Sequence, residues 1–162
     1  MLESTGADSI NMASSKGILE DGLSNSEQFL DIDSLTKLAA LAASVTSDCR
    51  CLLHDLSSWS TWPISYREQD FLQIGTLARL SSEEAILEEY HPAGTNYWSS
   101  TAPVAPRFYP YNQCTLWQCR CCSRIYLRHN DDGAYHVALR IRRLHAQFIV
   151  DAPHFNDGRE SR

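Results

Sequence analysis

QCTLWQCRCCSRIYLRHNDDG, residues 113–133, holds four of the chain's six cysteines and the pattern that decides the fold. Residues 116–119 and 124–129 are strand-like and flank a cysteine-rich turn, which predicts a β-hairpin. Asp131-Asp132-Gly133 closes it as a second turn, with Gly133 available for positive φ. Cys119 and Cys122 stand at C-x-x-C spacing, which lets two thiolates at a tight turn point at one ion. No second C-x-x-C follows, so from spacing alone the usual four-cysteine zinc site cannot be completed.

Working outward, the C-terminal side reads as a strand to about residue 138 and then a helical segment over 139–145. Val137, Ile141, Leu144 and Phe148 fall at helical intervals. Residues 148–150 are expected as a closing edge strand. On the N-terminal side, 101–112 carries three prolines and predicts an extended crossover. Residues 84–99 alternate around Pro92-Ala93-Gly94 and predict another hairpin. A helical turn giving way to a strand is predicted over 66–80, and a short strand over 49–56. The first helix is expected over 34–47, capped by Asp33 or Ser34, with Leu35, Leu38, Leu41, Ala42 and Val45 as its apolar stripe.

These elements predict an α+β fold, with an N-terminal helix packed on a small, mainly antiparallel sheet of hairpins and a zinc-knuckle-like turn. The organisation expected is a flexible arm over 1–30, one domain over 31–153 and a polar tail over 154–162. Met12 offers an alternative start.

The chain has 162 residues and a net charge of −6, unevenly spread. Residues 1–106 carry five Lys/Arg and fifteen Asp/Glu, a net of −10, whereas 107–162 carry nine and five, a net of +4. Either the halves pair with one another or they present separate acidic and basic surfaces. No run of eighteen apolar residues exists, and the first residues lack a basic and an apolar signal region, so a cytoplasmic protein is expected. Six cysteines there read as thiols or metal ligands rather than disulfides.

EYHPAGTNYW at 89–98, RFYPYN at 107–112 and LWQCRCCSRIYLR at 116–128 together resemble a small family of uncharacterised proteobacterial proteins with the pattern W-x-C-x-x-C-G-R-x-[YF]-L-R. The resemblance spans roughly residues 49–153. It implies a bacterial cytosolic protein and brings no activity with it. Ser123 stands where the pattern has glycine, the residue that relieves backbone strain in a knuckle.

For the metal, Cys119 and Cys122 form one jaw and zinc needs two further ligands. Cys114 is nearest, though its spacing puts it on the opposite strand face unless a bulge intervenes. His91 is the leading histidine, followed by His129 and His136; Cys121 could substitute for a neighbour, and Cys49 with Cys51 make a weaker pair. The bland alternative is thiols packed as small hydrophobes.

Arg120, Arg124 and Arg128, interleaved with Trp117 and Tyr126 and extended by Arg140, Arg142 and Arg143, could meet nucleic acid or a partner. The acidic balance argues against the former. Trp59 and Trp62 either cover a core edge or form a contact surface. No nucleotide-binding or zinc-protease motif is present. The reading is therefore a non-enzymatic interaction protein of the immunity or antitoxin type, with a basic protein partner such as a toxin and a structural zinc. A zinc-ribbon-like nucleic-acid module and a cysteine-dependent enzyme are its alternatives.

Overall fold

The computed structural model describes residues 27–79, 86–133 and 135–154. Most of the expected N-terminal arm and polar tail lies outside them. Among the described residues, one helix, α1 (Ile32–Ala43), accompanies five strands. These are β1 (Ser60–Thr61), β2 (Phe71–Thr76), β3 (Thr115–Cys119), β4 (Ile125–Asp132) and β5 (Val137–Arg143). The strands form one sheet in the order β1-β5-β4-β3-β2, with every neighbour antiparallel. The α+β class expected from the sequence is the one observed. No described helix is long and apolar enough to cross a membrane.

α1 begins two residues earlier than the sequence predicts, because Asp31 supplies the cap: its carboxylate accepts from the Ser34 N–H at 2.8 Å. Its buried stripe is Leu35, Ala39 and Ala42, while Leu41 faces solvent and Val45 lies beyond the last turn. The predicted β3–β4 hairpin is present, and β2 follows a 3-10 turn at Glu68–Asp70 much as expected.

Five expectations are corrected. Residues 49–56 form a 3-10 turn at Arg50–Leu52 instead of a strand. In 86–99 the turn at Gly94 exists, with φ of 82°, but no strands flank it; its arms dock through side chains, Tyr90 on Phe108 and Tyr97 on His129. Residues 139–143 continue β5 rather than turning helical, because positions 137–143 pair one for one with 132–126 of β4. Leu139-Arg140-Ile141-Arg142 does alternate apolar and polar, but the helical spacing of Val137, Ile141, Leu144 and Phe148 masked it. Residues 148–150 make a parallel bridge from Ile149 to Val104 and no strand, and Gly133 does not use positive φ.

The sheet is covered on both faces, which is why β4 is buried from Ile125 through His129. Ile125 and Leu127 point to the core that holds Leu35, Ala39 and Ala42 of α1. Tyr126 points the other way, into a second core with Phe71, Ile141, Leu56, Tyr66 and four cysteines or their neighbours. At the β2 bulge the chain at 28–30 comes in close: Leu30 donates to Thr76 and Thr76 to Gln28, both at 2.9 Å. A Cβ on Gly75 would stand 2.5 Å from a Leu30 methyl and 3.0 Å from the Gln28 carbonyl oxygen, so glycine is required.

Candidate metal centre

Cys119 ends β3 with its side chain on the face of Tyr126, and the following turn returns the chain to β4 with Cys122 buried beside it. That turn is tight: Ser123 N–H donates to the Cys119 carbonyl and Cys119 N–H to the Arg124 carbonyl, each at 2.9 Å. Its last residue, Ser123, has φ of 73°, the left-handed conformation that favours glycine. The substitution noted in the sequence therefore falls where the backbone is strained.

The segment from Cys49 to Cys51 packs over this turn. Cys49 Sγ lies 3.6 Å from Cys119 Sγ, and Cys51 Sγ 3.5 Å from Cys122 Sγ. All four sulfurs fall within 4.8 Å of one another. A tetrahedral zinc with bonds of about 2.3 Å separates its sulfurs by about 3.8 Å, so one ion fits this spacing with little movement. Two hydroxyls fix the upper jaw, Tyr66 donating to the Cys51 carbonyl at 2.6 Å and Tyr126 to the same oxygen at 3.2 Å.

The surroundings act differently on the individual thiols. Burial opposes ionisation of Cys49, but the Cys51 N–H and the neighbouring thiols outweigh it and bring that thiol down to about 7. Cys119 receives the N–H groups of Cys122 and Cys121, although burial, the largest influence, leaves its thiol raised. Cys51 is pushed further up, first by burial. Arg124, only 4% exposed, binds the carbonyls of Ser47 at 2.8 Å and Val45 at 3.3 Å and so ties the approach to Cys49 to the lower jaw. The Cys122 sulfur is the strongest influence on that guanidinium and holds its proton more firmly, while its Nε has no hydrogen-bond partner. A buried cation is costly beside neutral thiols and compensated beside thiolates on a metal.

The structure thus brings Cys119 and Cys122 together with Cys49 and Cys51, and completes the four-cysteine set that spacing alone left open. It does not bring Cys114 or His91 to the group. Cys114 is fully buried in the helix-side core with its thiol donating to the Pro110 carbonyl. His91 bonds Thr95 at 2.8 Å and Glu89 at 2.7 Å. His129 is buried with Nε2 against the Tyr97 hydroxyl, and His136 is exposed in the β4–β5 connection. The sign that Cys49 and Cys51 belong to the set is a second close cysteine pair elsewhere in the chain.

The expected basic surface is also redistributed. Arg128 is 6% exposed, sandwiched between Trp62 and Trp117 at 4.5 and 4.0 Å from the ring centres, with Glu68 at 3.6 Å. Arg142 is buried among the carbonyls of Ser57, Ser100 and Ala102 and the Tyr111 hydroxyl. Arg124 and Arg128 therefore lack the exposure a phosphate contact needs. Trp59 is buried against Tyr97, Tyr111 and His129, and Trp62 is half-buried with its N–H on the Tyr66 carbonyl. Among the described residues, Arg128–Glu68 is the one arginine ion pair joining the basic half to the acidic half.

Beside the centre lies a groove of about 550 Å³. Arg50, Arg67 and Arg120 line it with Leu53 and Tyr66; Cys49, Cys51 and Cys119 reach it from the cluster, and the exposed Cys121 from the turn. Arg67 is paired with Asp70 at 3.0 Å.

No family model matches the chain, and neither a curated protein nor a solved structure does.

Proposed function

We propose that this is a zinc protein in which a tetrathiolate centre of Cys49, Cys51, Cys119 and Cys122 staples the segment before β2 to the sheet. The observation that carries the reading is the convergence of four sulfurs from two parts of the chain about seventy residues apart. Four thiolates select zinc or iron, and a full set of protein ligands is the structural rather than the catalytic arrangement. N–H groups aimed at two of the sulfurs and the buried Arg124 would offset the cluster's negative charge.

The wider role in this reading is binding without catalysis. Leu53 and Ile64 are exposed near the centre, and the groove there has three arginines against one acid, Asp70. Those charges favour an acidic partner at this face, the reverse of the basic toxin expected from the overall composition. Pairing that weakens with added salt would support it; salt-insensitive pairing would not.

Metal analysis of protein purified under reducing conditions tests the centre. One zinc per chain is expected in the wild type, and none in Cys49→Ser/Cys51→Ser or in Cys119→Ser/Cys122→Ser. Full metal retention in the first variant would overturn the proposed ligand set. So would a metal-free wild type with Cys49–Cys119 and Cys51–Cys122 disulfides, while iron in place of zinc would overturn the identity of the ion.

A further inference from the structure

The fifth cysteine of this region is not accounted for by a four-ligand centre. Cys121 sits between the two ligands of the lower jaw, is exposed, and lines the same groove as Cys49. Cys49 is in turn the one ligand only half-buried; Cys51 and Cys119 are buried though they also border the groove, and Cys122 is buried. An accessible, unligated thiol therefore shares an open groove with the most accessible sulfur of the centre, and Arg50 and Arg120 flank both. Neither arginine side chain has an ion-pair or hydrogen-bond partner among the described residues.

We infer that Cys121 is an oxidation site that opens the metal centre, by forming a disulfide with Cys49 when the protein meets hydrogen peroxide. The inference rests on the tetrathiolate reading. In the first step the Cys121 sulfur attacks one peroxide oxygen, the O–O bond breaks, and a sulfenic acid and one water result, the thiol proton leaving with that water. In the second, the Cys49 thiolate leaves the metal and attacks the sulfenic sulfur. The S–S bond forms as the S–O bond breaks, and hydroxide departs as a second water with a proton from solvent. Peroxide has taken two electrons from two sulfurs, and zinc, unchanged in oxidation state, is left with three ligands.

Cys49 is the partner favoured, as the most accessible sulfur of the centre. Cys122 is adjacent to Cys121 in sequence, and neighbouring Cα atoms about 3.8 Å apart fall below the roughly 4.4–6.8 Å span of ordinary disulfides. Cys114 lies in the opposite core, across the sheet. Cys121 makes no contribution to either core, so its replacement leaves the fold intact.

The test uses the full zinc-loaded chain, with released zinc followed by a colorimetric chelator during exposure to hydrogen peroxide and disulfides mapped by mass spectrometry. The wild type is expected to lose its zinc as a Cys49–Cys121 disulfide appears, and to recover binding after reduction. Cys121→Ser is expected to hold zinc at the wild-type stoichiometry and release it about tenfold more slowly, since oxidation must then begin at a ligated sulfur. Cys114→Ser is expected to behave as the wild type. Equal release rates for the wild type and Cys121→Ser would overturn the inference, as would a Cys49–Cys119 disulfide as the first product. A wild type that never bound zinc would instead remove the tetrathiolate reading beneath it.

Discussion

The two faces of the sheet are covered in different ways. On one, α1 lays Leu35, Ala39 and Ala42 over Ile125, Leu127 and Leu116, and apolar burial holds the layers together. On the other, the covering is a chain with only 3-10 turns and the two-residue β1, whose contact with the sheet is built from aromatic rings, carbonyl bonds and four cysteines. A regular helix buries a continuous stripe and needs no further fastening. An irregular segment buries less per residue and leaves more backbone groups to satisfy, which is where Tyr66, Tyr126 and Arg124 are spent and where a metal adds most.

The largest predicted effect breaks this contrast directly. Removing the metal with a chelator, or the lower jaw with Cys119→Ser/Cys122→Ser, is expected to cost several kcal/mol. Hydrogen exchange should rise across 45–70 first while α1 and β4 stay protected; uniform loss of protection would show that the faces are not separately held.

On the helix side, the buried polar residues include Arg142. Arg142→Ala leaves the Ser57, Ser100 and Ala102 carbonyls without their donor and is expected to cost about 3–5 kcal/mol in urea denaturation, with metal content unchanged in what remains folded. Gly75→Val, which forces Leu30 and the 28–30 backbone off the β2 bulge, is expected to cost about 1–3 kcal/mol by the same measurement.

A smaller effect depends on pH. Burial holds the His129 imidazole below its usual value, among Tyr97, Trp59 and Tyr109, with Asp131 and Arg140 also acting on it. The unfolded chain therefore takes up this proton first, so the contribution is present above pH of about 6.5 and is lost as pH falls below that. Unfolding midpoints at pH 7.5 and 5.5 should differ less in His129→Gln than in the wild type, the thiols being common to both proteins.

The smallest effect is a gain. Ser123→Gly relieves left-handed strain in the cysteine turn at the expense of added freedom in the unfolded chain, for a net of about 0.5–1 kcal/mol and slower metal loss. No gain in either measurement would mean that the turn does not limit the centre.

Where local spacing carries the information, the sequence reads correctly. The strand-like runs 116–119 and 124–129 mark the β3–β4 hairpin and C-x-x-C marks one close cysteine pair, whereas Cys114, expected among the ligands unless its spacing set it on the opposite face, lies in the far core. Period 3.6 locates α1, although the capping Asp31 had to be seen to be chosen over Asp33. Tertiary structure alone decided the rest, because each point turns on residues far apart in the chain. The second jaw comes from a 3-10 turn seventy residues before the first, and no local period announces a 3-10 turn. β5 is a strand because β4 offers it seven pairing positions, against a spacing that suits a helix better. Arg124, Arg128 and Arg142, three of the arginines that read as a basic surface, are buried because carbonyls, two tryptophans and a sulfur cluster converge on them, and convergence is a property of the fold.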